Sequence, residues 1–306
     1  MTGVLLGFGI IGFVILIGYL AARFSIAGEQ SGLVLNRVAY FITNPALLFT
    51  VIARSNLLDV FSSAVLIELI VVIIVAAVYV TISAAFFRRP VTETTVGALA
   101  SSYVNANNIG LPVATYVLGS VVYVAPVLLL QLLVIAPIGL TILDISSKGT
   151  FSVWRIVSQP LRNPMIIASA LGVVVAATGY RVPAPVLQPL TLLAGAAIPL
   201  VLMAFGMSLR GSKPLGGAAH RTEALVATAL KSIVMPVLAY LLGAFVFGLH
   251  GHTLLAAVLL AGLPTAQNIF NFASRFDRGV ELARDVVLYT TILAVPVLFL
   301  GAALLS

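Results

Sequence analysis

Long apolar stretches, separated by short clusters of charged and turn-forming residues, run through the whole chain. Each stretch has about the twenty residues that a helix needs to cross the hydrocarbon core of a bilayer. The pattern predicts ten membrane-spanning helices, at 3–22, 34–53, 61–87, 94–119, 121–143, 164–180, 185–209, 222–248, 252–274 and 282–305. The fourth and ninth differ from the rest, because they contain amides and prolines where lipid-facing helices contain Leu and Val.

Composition supports an all-α membrane protein and narrows the classes of function. Of the 306 residues, 61% are hydrophobic and 8% are charged, whereas a soluble domain carries about 25% charged residues. This excludes a soluble enzyme, a disordered chain and a coiled coil. The chain has no cysteine, which removes disulfides, thiolate metal sites and cysteine nucleophiles. Arg23 follows the first apolar stretch and no basic residue precedes it, so we expect this stretch to be retained and not cleaved as a signal peptide.

The basic residues fall almost entirely on one side of the predicted membrane topology. With the spans alternating in direction, all 16 Lys and Arg residues except Arg54, Arg181 and Lys231 lie on the same side. The positive-inside rule makes that side cytoplasmic, so we expect a multi-pass protein of the bacterial plasma membrane with both termini outside the cytoplasm. The net charge of +7 therefore indicates basic cytoplasmic loops, and we expect no nucleic-acid partner.

The two halves of the chain share a weak internal repeat with an offset of about 160 residues. Asn-Asn-Ile at 107–109 matches Gln-Asn-Ile at 267–269, and Pro137 in the fifth span matches Pro296 in the tenth. Five spans per half is an odd number, so the second half must be inserted in the opposite orientation. The matches are short, and chance similarity between apolar segments is the alternative.

This repeat predicts three parts of the chain. Residues 1–143 form the first five-helix repeat, 144–163 form a cytoplasmic linker, and 164–306 form the second, inverted repeat. Inverted repeats of this kind are typical of secondary transporters, which bind substrate near the middle of the membrane at discontinuous helices.

The fourth and ninth spans are the candidate discontinuous helices. Pro112 has no N–H to donate to the carbonyl of Asn108, so we expect the fourth helix to break there. Pro264 occupies the corresponding region of the ninth. A second half-helix that begins near the membrane centre presents unpaired N–H groups and a partial positive charge, which favours an anion. Two proline kinks with amides that join neighbouring helices are the alternative.

Amide side chains near the two breaks add neutral donors that can orient a carboxylate. The candidate substrate-binding residues are Asn105, Asn107, Asn108, Pro112, Gln131, Pro264, Gln267 and Asn268.

Glu68 and Lys231 are the two ionisable residues clearly within predicted spans, at related positions of the repeat. We expect them to couple transport to a cation or to balance charge at the half-helix ends, because ionisable groups in a membrane are costly. They enter from opposite sides, so a direct ion pair is not expected. A snorkelling lysine and a structural hydrogen bond from Glu68 are the alternatives.

Four motifs together resemble the auxin efflux carrier family. They are Asn-Pro-Ala-Leu-Leu-Phe at 44–49, Asn-Asn-Ile-Gly-Leu-Pro at 107–112, Asn-Pro at 163–164 and Ile-Pro-Leu-Val-Leu-Met-Ala-Phe-Gly-Met-Ser-Leu at 198–209. The resemblance extends over essentially the whole chain. Two features depart from the family: the long hydrophilic loop of many plant members is absent, and neither break carries an acidic residue.

The resemblance implies a ten-helix inverted repeat of the sodium/proton-antiporter type. It implies a scaffold of helices 1, 2, 6 and 7, a transport domain of helices 3–5 and 8–10, a homodimer and an elevator-like movement. It also maps the crossing prolines to Pro112 and Pro264 and a carboxylate-binding amide to Asn108.

The sequence therefore predicts a secondary transporter, either an efflux carrier or a facilitator, for a small organic carboxylate anion in the lipid bilayer. A sodium- or proton-coupled organic-anion symporter of the related bile-acid type is the alternative. We expect no enzyme activity, metal or cofactor, because the chain has no HExxH motif and no cysteine nucleophile.

Overall fold

The computed structural model describes residues 2–26, 28, 30–55, 63–148, 162–210 and 220–305. This part of the chain is helical throughout, and its only β structure is one isolated bridge. Most of the predicted linker at 144–163 lies outside the described residues, which stop at 148 and resume at 162.

The helices of the first half are separated by π-helical turns at several points. They are α1 Thr2–Arg23, α2 Ser31–Val38, α3 Asn44–Ile52, α4 Ser63–Ile82, α5 Val91–Ser102, α6 Leu111–Tyr116, α7 Ala125–Leu130 and α8 Ala136–Lys148. The π turns are Ala39–Thr43, Ser83–Phe87, Ala106–Gly110 and Gln131–Ile135, and Val121–Tyr123 forms a 3-10 turn.

The second half is built in the same way. Its helices are α9 Pro164–Thr178, α10 Ala184–Ser208, α11 Arg221–Ala229, α12 Met235–Leu241, α13 Gly251–Ala261, α14 Gln267–Phe276 and α15 Val280–Leu305. Its π turns are Leu230–Val234 and Leu242–Val246.

Seven helical segments of the described residues are long and apolar enough to cross a membrane. They are Leu6–Arg23, Ser31–Ile52, Val65–Phe87, Val121–Ser147, Ala184–Ser208, Arg221–Val246 and Val280–Leu305. Two shorter apolar helices, Pro164–Thr178 and Gly251–Ala261, accompany them. Many large apolar side chains on these segments are exposed in the isolated chain, such as Phe13, Leu192 and Leu304, as expected of surfaces that contact lipid. The chain is therefore an all-α membrane protein.

Glycines let α1 and α10 pack backbone to backbone. A Cβ atom at Gly18 would overlap the backbone of Met203, and one at Gly206 would overlap the backbone of Ile15. Small residues that permit such close approach are typical of helix contacts in membranes. Helix α10 also packs on α2 and α3, so α1, α2, α3 and α10 form one continuous group of helices.

The fourth predicted span is broken, but the predicted position of the break is wrong. Helix α5 ends at Ser102, and Tyr103 has extended backbone angles (φ −90°, ψ 113°). Pro112 lies farther along, in the first turn of α6, where its ring causes no interruption. The π turn Ala106–Gly110 directly precedes α6. A π turn has i→i−5 hydrogen bonds in place of i→i−4 bonds, so the N–H that Pro112 lacks is not needed there.

The break in the ninth span does contain its proline. Helix α13 ends at Ala261 and α14 begins at Gln267, with Pro264 in the non-helical segment between them. The two breaks thus expose backbone groups that must find partners outside their own helices.

Candidate substrate site

The two broken helices meet at their breaks. Val104 and Thr265 form an isolated antiparallel bridge. The backbone N–H of Asn105 donates to the carbonyl of Pro264 at 2.7 Å, and the N–H of Ala266 donates to the carbonyl of Tyr103 at 3.2 Å. Each break therefore supplies the hydrogen-bond partners that the other lacks, which explains why extended backbone is stable inside this bundle.

Side chains from neighbouring segments satisfy other groups of the crossing. Gln131 Nε2 donates to the carbonyl of Val104 at 2.9 Å. Thr265 Oγ1 donates to the carbonyl of Ala100 at 2.6 Å, and the Thr265 N–H donates to Thr290 Oγ1 at 3.0 Å. Four separate parts of the chain thus hold the crossing in place.

A cavity of about 200 Å³ lies beside the crossing. Both breaks and the α2 region contribute to its wall. Its polar lining residues are Asn36, Arg37, Tyr40, Tyr103, Asn105, Asn107, Asn108, Gln131, Gln267, Asn268 and Asn271.

A larger cavity of about 1080 Å³ shares Asn36, Asn108, Gln267 and Asn271 with the first. Its further polar lining includes Ser25, Ser208, Arg210, Arg284 and Thr291. The shared amides form the boundary between the two spaces, and a ligand in the smaller cavity would meet the larger one across them.

Six of the eight residues predicted from sequence to bind substrate line the smaller cavity. These are Asn105, Asn107, Asn108, Gln131, Gln267 and Asn268. The two prolines are not among the described residues that line either cavity. Pro264 contributes its carbonyl to the crossing, whereas Pro112 is buried in α6.

Asn105 is held in a defined orientation by the backbone. Its Oδ1 accepts from the N–H of Asn108 at 3.1 Å, as an N-cap at the start of the π turn. Its Nδ2 is buried without a hydrogen-bond partner, and the residue is only 2% exposed. An unpaired buried donor is costly, so an acceptor that reached it from the cavity would satisfy it.

Asn44 is a contributor that the predicted site did not include. It lies at the start of α3, fully buried, and its Nδ2 donates to Asn107 Oδ1 at 2.8 Å. Asn107 Nδ2 in turn donates to Asn108 Oδ1 at 2.8 Å. The sequence signal that could have identified Asn44 is the Asn-Pro pair at 44–45, a polar residue beside a proline within an apolar stretch.

Positive charge predominates around the two cavities. Among the described lining residues, Arg37, Arg210 and Arg284 carry formal charge, and none is acidic. Arg284 pairs with Asp285 at 2.9 Å, and Arg210 donates to the carbonyl of Ala22. A space lined by amides and guanidinium groups favours an anion.

Lys231 and Glu68 are both buried, and neither is among the described residues that line the cavities. Lys231 Nζ donates to the carbonyl of Ala261 at 2.7 Å, at the C-terminal end of α13, and lies 3.2 Å from Met235 Sδ. Glu68 interacts electrostatically with Lys231, and its Oε1 is buried without a hydrogen-bond partner. Their roles in coupling or charge balance stay a prediction.

Other acidic residues are buried as well, which the sequence reading missed. Asp285 is 2% exposed within α15, where it pairs with Arg284. Glu223, at the start of α11, accepts from Arg89 Nε at 2.8 Å. This hydrogen bond raises the pKa of Arg89, so the guanidinium stays charged and joins the start of α11 to the loop before α5.

Comparison with known proteins places the chain in a family. The model of a family described as "Membrane transport protein" matches residues 10–152 and 150–300. The chain belongs to this family, that of the auxin efflux carriers. The resemblance inferred from its motifs is thereby confirmed.

Curated relatives of the chain are transporters by name. It is 28% identical over 289 residues to a protein of Rhizobium meliloti (strain 1021) named "Putative malonate transporter", covering 92% of this chain and 89% of the relative. It is 28% identical over 278 residues to "Uncharacterized transporter YfdV" of Escherichia coli (strain K12), covering 86% and 85%. It is 29% identical over 149 residues to "Probable auxin efflux carrier component 5c" of Oryza sativa subsp. japonica, covering 47% and 40%.

Proposed function

We propose that this membrane transporter is a secondary carrier, an efflux carrier or facilitator, for a small organic carboxylate anion, which binds in the 200 Å³ cavity. One observation carries the proposal: the unpaired Nδ2 of Asn105, buried in the cavity wall. A carboxylate has only acceptors when ionised, so it would satisfy this donor without leaving a donor of its own unpaired.

The surroundings of Asn105 support an anion in the same place. The π turn that begins at Ala106 and helix α14 that begins at Gln267 both start at the cavity. In the π turn the N–H groups of Ala106 and Asn108 already bond to the carbonyl of Val104 and to Asn105 Oδ1. The start of a helix still carries a partial positive charge, and this charge favours an anion. The guanidinium groups of Arg37 and Arg210 add to this field, whereas the charge of Arg284 is offset by Asp285.

The proposed architecture is a ten-helix inverted repeat with crossed, broken fourth and ninth helices. The contact between the two breaks supports it, because Val104 and Thr265 lie at corresponding points of the two halves. We propose a scaffold of helices 1, 2, 6 and 7 and a moving domain of helices 3–5 and 8–10 that transfers substrate by an elevator-type movement. We further propose a homodimer with both termini outside the cytoplasm.

Short dicarboxylates are the first substrates to test. The name of the Rhizobium meliloti relative mentions malonate, and that relative aligns over 92% of this chain. The amides, together with the guanidinium groups of Arg37 and Arg210, offer donors for more than one carboxylate group of such a ligand.

Thermal unfolding of the purified protein with malonate, malate, acetate and benzoate tests the proposal. A ligand that binds the native state raises the unfolding temperature by mass action. We expect at least one carboxylate to stabilise the wild type, and we expect Asn108→Ala to weaken its binding by about 1 to 3 kcal/mol through lost hydrogen bonds. Gln188→Ala is the control, because Gln188 is exposed and lies outside both linings.

Stabilisation by cations or neutral solutes alone would contradict the carboxylate proposal. Wild-type affinity in a folded Asn108→Ala protein would remove Asn108 from the site while leaving the substrate class intact.

A cation-coupled organic-anion symporter is the second candidate, and the buried Glu68 is the observation that favours it. A carboxylate within the membrane can carry a proton or bind a cation. Uptake into proteoliposomes separates the two candidates: a facilitator transports without sodium and without a proton gradient, whereas a symporter loses accumulation when its coupling gradient is removed.

A further inference from the structure

Three asparagine side chains form a chain of hydrogen bonds that leads from α3 to the cavity. Asn44 Nδ2 donates to Asn107 Oδ1, and Asn107 Nδ2 donates to Asn108 Oδ1, both at 2.8 Å. Asn107 and Asn108 line the cavity, whereas Asn44 is fully buried behind them and is not among the described lining residues. This chain of hydrogen bonds therefore begins behind the cavity wall and ends at the cavity.

The donor-to-acceptor direction of these hydrogen bonds decides whether Asn108 presents its Oδ1 or its Nδ2 to the cavity. A primary amide accepts at its oxygen and donates at its nitrogen, so the donor at Asn44 sets the orientations of Asn107 and Asn108. The Oδ1 of Asn44 itself is buried without a hydrogen-bond partner among the described residues. Asn108 accepts the last bond through Oδ1, which leaves its Nδ2 for a ligand. Asn105 is oriented to the same effect by the backbone N–H that occupies its Oδ1.

We propose that Asn44 is a positioning residue for substrate selection: by donating to Asn107, it orients the amide chain so that Asn108 presents its NH2 group and selects ligands with acceptor groups. The inference rests on the proposed function, because it assigns a further role in that same site. The inference means that Asn44, a residue of α3 outside both broken helices, helps to decide which ligands the site accepts.

Asn44→Asp tests the inference with a near-isosteric change. An ionised carboxylate can only accept, so Asn107 would turn its NH2 group toward residue 44 and accept from Asn108, whose Oδ1 would then face the cavity. Isothermal titration of the purified protein with malonate, malate, acetate and benzoate measures the result. We expect the affinity for each carboxylate that binds the wild type to fall about tenfold or more.

Thr50→Val is the matched control. Thr50 is buried on the same helix, and its hydroxyl donates to the carbonyls of Ala46 and Leu47, so it takes no part in the amide chain. We expect its carboxylate affinity to stay within about twofold of the wild type, because small changes far from a ligand have small effects on binding.

A double-mutant cycle separates amide reversal from simple charge repulsion by Asp at position 44. In an Asn107→Leu background the chain is already interrupted, so Asn44→Asp should cause no further loss of affinity. An equal loss in both backgrounds would show that the new charge acts directly on the anion, and it would overturn the inference.

Asn44→Leu is the second variant, to be used if the Asn44→Asp protein does not fold. It removes the donor without adding charge, and we expect affinity to fall about threefold to tenfold because Asn107 loses its fixed orientation. A wild type that binds none of the four carboxylates overturns the proposed function, and this inference with it. A wild type that binds while the folded Asn44 variants retain its affinity overturns this inference alone.

Discussion

The two helix breaks at the candidate site differ in how they satisfy the carbonyl groups that they expose. The first break uses neutral donors, the hydroxyl of Thr265 and the amide of Gln131. The second uses a cation as well as a neutral donor, because Lys231 Nζ donates to the carbonyl of Ala261 and the N–H of Asn105 donates to that of Pro264. Carbonyl groups at corresponding positions of the two halves thus accept hydrogen bonds from chemically different donors.

This difference keeps the ammonium group of Lys231 away from the ligand. Lys231 is fully buried and is not among the described residues that line the cavities, so its ammonium group acts on the end of α13. The cavity wall itself presents neutral amides, with guanidinium groups at Arg37 and in the larger space. Neutral donors bind an anion less strongly than a fixed ammonium group would, which suits a carrier that must release its substrate.

Removing the cation of the second break should have the largest effect on stability. Lys231→Met leaves the Ala261 carbonyl and the Glu68 carboxylate buried without their positive partner, so we expect the free energy of unfolding to fall by about 3 kcal/mol and transport to be impaired. Thermal unfolding and proteoliposome uptake measure the two effects. Adding Glu68→Gln removes the remaining charge and should restore part of the stability, because the two groups interact.

Unchanged stability and uptake in Lys231→Met would mean that a neutral partner can replace the charged donor at the second break. The comparison between the breaks would then carry no functional meaning.

Asn105→Asp should weaken substrate binding at the first break. The new side chain still accepts from the N–H of Asn108, but it replaces the unpaired donor with a second oxygen. We expect carboxylate affinity to fall by about 2 to 3 kcal/mol. We expect the unfolding temperature to fall as well, because the new carboxyl group is buried without a positive partner. The same change at Asn268, in the first turn of α14 directly after the second break, should cost less, because Asn268 already bonds to Tyr103. Equal losses at the two positions, measured by titration calorimetry, would contradict this ranking.

The smallest effect is expected from a neutral donor of the first break. Thr265→Val removes the bond to the Ala100 carbonyl, so we expect the free energy of unfolding to fall by about 1 to 2 kcal/mol. Thr178→Val is the control, because its hydroxyl is exposed and bonds within its own helix. A loss as large as that of Lys231→Met would show that charge is not what distinguishes the breaks.

Helix positions were the part of the fold that the sequence predicted well. Seven of the ten predicted spans correspond to segments of the described residues that are long enough to cross a membrane. The predicted spans at 94–119, 164–180 and 252–274 correspond to shorter helices. The length of a span is a local property of the sequence, because a helix makes its backbone hydrogen bonds within itself. It needs only about twenty consecutive apolar residues to cross the bilayer.

The position of a break was less predictable than its existence. Proline disfavours a continuous helix, so the sequence indicated a break at Pro112, yet the chain departs from the helix at Tyr103. The deciding factor is a partner distant in sequence: the backbone around Pro264 pairs with that of Asn105. No local pattern contains this information.

Composition and the local order of residues are enough to predict that this chain lies in a membrane, that its fourth and ninth apolar stretches differ from the rest, and that amides cluster there. The pairs of atoms that meet are visible only in the folded protein: Asn44 with Asn107, Lys231 with Ala261, and the two breaks with each other. The physical reason is that buried polar groups must be paired, and in a bundle of many helices the partner of each is fixed by packing, far away along the chain.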